Sequence, residues 1–100
     1  MSIAKGLKKS AKSITAAMAS EQGPFLSRVA AELSRARSKH AGINSAHEGY
    51  AVILEELDEF KRQVWLKREQ RDPQEMLSEL IQIAAMAART AEDLSLISAV

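Results

Sequence analysis

The 100-residue sequence predicts an all-α fold: a helical bundle built from an antiparallel hairpin of long helices plus a shorter helix. Three observations predict it. Apolar residues recur every three or four positions from Phe25 to Leu94. Two helix-start signals, Ser45-Ala46-His47-Glu48 and Asp72-Pro73-Gln74-Glu75, precede the two longest stripes. Only two prolines and four glycines interrupt the chain. The aromatic residues are just Phe25, Tyr50, Phe60 and Trp65, so the core must come from Leu, Ile, Val, Ala and Met, which suits closely packed helices.

Composition narrows the function classes. The length fits one domain. Cysteine is absent, which excludes disulfides and thiolate zinc sites and makes a reducing cytoplasmic compartment the default expectation. No run of 18 apolar residues exists, so no membrane span is expected. The net charge of +1 argues against a strongly basic nucleic-acid binder. Charge is uneven, however. Residues 1–22 carry Lys5, Lys8, Lys9 and Lys12 against Glu21, a local net of +3. Ile3, Leu7, Ile14 and Met18 fall there at roughly helical spacing. This arm reads either as a leader or helix packed on the domain, or as an amphipathic segment for an anionic partner. Residues 23–100 form the expected helical domain.

The elements follow in order. Gly23-Pro24 marks a start, since proline is tolerated at the first helical position. Phe25, Val29, Leu33 and Ala36 then repeat at helical spacing, and Gly42 closes the segment. In the next start signal, the Ser45 oxygen can accept from the N–H of Glu48 while Glu48 reaches back. Tyr50, Ile53, Leu57, Phe60 and Val64 predict a helix from about residue 46 to 71, roughly 39 Å long. Asp72 suits an N-cap and Pro73 the first turn of a further helix running to about residue 98. Two long helices with almost no loop between them form a hairpin. Ala84, Ala85, Ala87, Ala88 and Ala91 let another helix approach closely. One hairpin and one shorter helix leave apolar surface uncovered, so a homodimer is expected to complete the bundle.

Chemistry concentrates in EELDEFKRQV, residues 55–64, where Glu55, Glu56, Asp58 and Glu59 fill four of five positions. With Leu57 as the stripe centre, Glu56 lies at the stripe border, about 100° round the helix. The following helix repeats the layout: Glu56-Leu-Asp-Glu59 is matched by Glu79-Leu-Ile-Gln82. In a hairpin, three carboxylates and one amide oxygen can face one space, a donor set suited to magnesium or manganese. The other reading is a solvated acidic face with pairs such as Asp58–Arg62.

Residues 36–88, ARSKHAGINSAHEGYAVILEELDEFKRQVWLKREQRDPQEMLSELIQIAAMAA, resemble the MazG-like branch of the all-α nucleoside triphosphate pyrophosphohydrolases, in their small bacterial and phage form. The order matches: a basic helix ending in His40, a loop with Asn44, Glu-x-x-Glu, then Glu79 after a gap of 19 residues from Glu59. The resemblance implies helical dimers or tetramers that cleave a nucleoside triphosphate between the α and β phosphates. It implies Glu56, Glu59 and Glu79 as catalytic metal ligands for Mg2+, with Gln82 completing the set, and His40 and Asn44 near the nucleotide. The family's last acid is usually aspartate, and Gln82 stands in its place. An amide can ligate a cation but brings no charge and cannot act as a base. Arg89 and Asp93 fall where later substrate contacts lie, outside any recognisable motif.

Two functional expectations follow. One is a Mg2+-dependent (or Mn2+-dependent) nucleotide pyrophosphohydrolase. The other is a catalytically degenerate helical oligomer that binds a partner or nucleotide without turnover, which Gln82 favours.

Other residues support no separate chemistry. His47-Glu48-Gly49-Tyr50-Ala51 lacks the second histidine of a zinc HExxH helix. Arg62, Lys67, Arg68 and Arg71 crowd a helix end, where they either attract a triphosphate or, as is commoner, complement the helix dipole.

Overall fold

The computed structural model describes residues 23–97. All regular structure among them is helical. The chain is helical from 23 to 39 (α1), from Ala46–Val64 (α2) and from Pro73–Asp93 (α3), with a 3-10 turn at Arg68–Gln70. The basic arm, residues 1–22, lies outside the described residues.

Both start signals work locally. Ser45 is extended at φ −150°, and its hydroxyl accepts from Glu48 N–H at 3.1 Å. Glu48 reaches back one residue further than a capping box requires, to the N–H of Asn44 at 3.1 Å. Asp72 Oδ1 accepts from Gln74 N–H at 2.9 Å and from Glu75 N–H, with Pro73 opening the helix.

The ends differ from expectation. α2 stops at Val64 rather than near residue 71, and Arg71 folds back to cap the carbonyls at and just beyond its end. Arg71 Nη2 donates to Val64 O at 2.7 Å and Nε to Leu66 O at 3.2 Å. Gln63 Oε1 accepts from Asp72 N–H at 3.0 Å, which ties the end of α2 to the start of α3. α3 stops at Asp93 rather than near residue 98. Ser95 takes φ 57°, Ser95 N–H donates to Glu92 O and Leu96 N–H to Ala91 O. This is a Schellman termination, with serine in the left-handed position glycine usually holds.

Gly49, near the start of α2, packs on Thr90, near the end of α3, so the two helices run antiparallel. α1 lies alongside α3 in the same sense: Glu32 meets Gln82, and Arg37 meets Asp93. The core is thin. Val29, Ala36, Ala85 and Met86 form its centre, flanked by half-buried Leu33, Val52, Ile53, Ile81 and Ala84. Among the described residues no large side chain is fully enclosed.

α2 and α3 are rotated relative to the expected stripes. Leu57 is 47% exposed and Leu80 39%, and Phe25 also faces outward. The inward face of α2 instead carries Gly49, Val52, Ile53 and Glu56, and that of α3 carries Glu79, Ala85, Met86 and Arg89. Small residues on that side allow close approach, and the polar groups turn inward with them.

Candidate metal centre

Rotating the helices brings the carboxylates together. Glu56 and Glu59 stand one turn apart on α2, and Glu79 faces them from α3. One carboxylate oxygen from each lies within 4.8 Å of the others. They line a cavity of about 610 Å³ that also borders Gln82, His40, Arg35 and Arg89. Asn44 is exposed and is not part of that lining; its neighbour Ile43 is buried there.

Glu79 carries the main electrostatic strain. It is only 7% exposed, and its Oε2 has no hydrogen-bond partner. Burial pushes its pKa up from 4.5 to about 7, assisted by its hydrogen-bonding contact with Glu59 and Glu56 and then by their charges. Burial also raises Glu56, and repulsion from Glu59 and Glu55 adds to that. A buried, unpartnered carboxylate oxygen beside two further carboxylates is a donor set that a hard divalent cation fits. Without such a charge the cluster is held by protonation.

Gln82 takes a partner the sequence analysis did not anticipate. Its Nε2 donates to Glu32 Oε1 on α1 at 2.7 Å. Arg35 donates to the same carboxylate, which holds Glu32 below its ordinary pKa. The signal for Glu32 was present: Glu32-Leu33, Glu56-Leu57 and Glu79-Leu80 repeat one Glu-Leu step on all three helices.

Arg89, which the sequence placed only in the region of later substrate contacts, borders the same cavity. It is 6% exposed, donates through Nη2 to Ala41 O at 2.8 Å, and leaves Nε without a partner. Gln82, Met86, Arg89 and Asp93 fall on one face of α3, a spacing readable in the sequence. Asp93 then fixes the loop: its carboxylate accepts from Arg37 at 2.7 Å and from Ile43 N–H at 2.9 Å. The Arg37 guanidinium and the Ile43 N–H hold Asp93 below its ordinary pKa. Together Arg89 and Asp93 pin the 41–43 segment beside His40.

The chain matches no family model, no curated protein and no solved structure. No described helix is long and apolar enough to cross a membrane.

Proposed function

We propose that this chain is a MazG-like nucleoside triphosphate pyrophosphohydrolase that works with Mg2+ or Mn2+, giving a nucleoside monophosphate and pyrophosphate. The observation that carries the reading is Glu79: a buried carboxylate with an unpartnered oxygen, within 4.8 Å of Glu56 and Glu59. These three would hold the cation, with Gln82 as a neutral oxygen donor. A bound divalent cation supplies charge neutralisation for the triphosphate and activates water.

The chain's own groups do the rest. A carboxylate oxygen of the cluster that does not ligate the cation would orient the attacking water and take its proton. Arg35, His40 and Arg89 border the same cavity, where positive charge and N–H donors can meet phosphate oxygens. The chain's lack of cysteine suits a cytoplasmic setting. The exposed faces of Leu57 and Leu80 suit a second copy, giving a homodimer or a tetramer built from it.

One observation favours the alternative, a degenerate oligomer that binds without turnover. Gln82 is engaged by Glu32 and brings no charge to the cluster. Pyrophosphate release from a panel of NTPs and dNTPs, with Mg2+ or Mn2+, separates the two. The hydrolase reading expects metal-dependent turnover that falls at least about a hundredfold in Glu56→Gln, as expected when metal-centre charge stabilisation is lost. No turnover of any nucleotide by a folded protein would leave the binding reading.

A further inference from the structure

Gln82 stands where a carboxylate was expected, and the nearest carboxylate lies behind it. Gln82 and Glu32 belong to different helices, yet Gln82 Nε2 lies 2.7 Å from Glu32 Oε1. The same carboxylate accepts from Arg35 Nε at 2.8 Å and also from Arg35 Nη2. A carboxylate clasped by a guanidinium only accepts hydrogen bonds, so Gln82 must turn its NH2 toward α1. Its carbonyl oxygen is thereby directed away from Glu32. Among the described residues nothing donates to that oxygen.

The other side of Gln82 is the cavity of the acidic cluster, which Gln82 itself lines. Glu79 stands one turn before it on α3 and is more than nine-tenths buried, with Oε2 unpartnered. The empty demand of Glu79 Oε2 and the free carbonyl of Gln82 therefore fall on one helix face.

We infer that Glu32 is a positioning residue of the metal centre: it holds the Gln82 amide so that Gln82 Oε1 joins Glu56, Glu59 and Glu79 as a donor to a divalent cation. The inference rests on the metal-centre reading above. The charge absent at position 82 is kept, one hydrogen bond further out, on α1. Groups behind a ligand fix its orientation and tune metal affinity, typically by about 10–100-fold.

The test is Mn2+ binding by isothermal titration to the full chain and four variants, with melting temperature checking each fold. Glu32→Gln removes the charge and the fixed amide orientation, and should weaken Mn2+ binding about tenfold. Glu32→Asp keeps the charge but withdraws it from Gln82, and should also weaken binding. Gln82→Glu sets two carboxylates against each other. Adding Glu32→Gln to it restores a hydrogen bond of reversed polarity and should raise affinity over Gln82→Glu alone. The inference is overturned if neither Glu32 variant changes affinity. It is overturned equally if Glu32→Asp binds like wild type, or if Glu32→Gln weakens binding in both backgrounds, since a plain charge effect does that. Wild type that binds no Mn2+ overturns the metal-centre reading and this one together. Wild type that binds while the Glu32 variants bind equally well overturns this one alone.

Discussion

Glu79 is the residue on which site and stability meet. Its pKa is raised in the fold from 4.5 to about 7. A carboxyl group with a raised folded pKa contributes stability that is full below its unfolded pKa and lost as pH rises through the folded value. The cation-free protein should therefore lose this contribution between about pH 4.5 and 7. Glu79→Gln removes that loss. Thermal melts across this window should find the variant gaining on wild type as pH rises. With Mn2+ present near pH 8 the order should reverse, because only wild type gains the cation's binding energy. Parallel melting curves at every pH would show that Glu79 is not strained. Asp93 works in the opposite direction: with its pKa lowered, its hold on Arg37 and Ile43 is present at neutral pH and fades in acid.

Two elements depend on single backbone positions. A Cβ on Gly49 would come within 2.5 Å of Thr90 Cγ2 and 2.9 Å of Thr90 Oγ1. Gly49→Ala should push α2 off α3 and destabilise the fold by about 1–3 kcal/mol, measured by urea unfolding. Thr90→Ala removes both of those atoms and leaves a Cβ at 3.2 Å, so the double variant should recover part of the loss. Strict additivity of the two changes would argue that they do not meet. At the far end of α3, Ser95 holds φ 57° to complete the Schellman turn. A left-handed non-glycine residue is strained, and glycine offsets part of that relief by its freedom in the unfolded chain. Ser95→Gly should stabilise by about 0.5–1 kcal/mol, read as a raised melting temperature. A lowered one would mean that the serine side chain contributes more than the strain costs.

At the scale of the whole molecule, the described residues make only a thin core. Their buried apolar members are Val29, Ala36, Ile43, Ala85 and Met86, while Leu57, Leu80, Phe25 and Leu26 remain on the surface among them. Exposed apolar area of this kind suits the proposed interface. In the proposed dimer a second copy covers the Leu57 face, so sedimentation of wild type should give twice the chain mass. Leu57→Glu should give a monomer of lower melting temperature. A wild-type monomer at micromolar concentration would remove the dimer, and the thin core would then have to stand alone.

Helix starts were legible because they depend on residues within one turn. Ser45 and Glu48, and Asp72 with Pro73, carry their own hydrogen-bonding instructions, so the starts of α2 and α3 follow from the sequence alone. The Glu56-Glu59 spacing is equally local, as is the Glu79-Gln82 spacing. Helix ends were less legible. Arg71 capping Val64 depends on a chain reversal, and Ser95 gives no glycine signal for the termination of α3. The facing of α1 was legible, since Val29, Leu33 and Ala36 of its stripe do pack inward, but the rotation of α2 and α3 about their axes was not. The apolar pattern offered Leu57 and Leu80 as inward centres, and packing chose the Gly49, Ala85 and Met86 side instead. That choice sets Gly49 against Thr90, a property of the helices jointly and of no single stripe. It also buried Glu79 and Arg89 and set Glu32 against Gln82, fifty residues away. Sequence by itself therefore determined which segments are helical and which residue types share a face. Tertiary structure alone decided which faces meet, because a hydrogen bond within a turn is specified by its neighbours, whereas a contact between helices is specified only by how the whole chain packs.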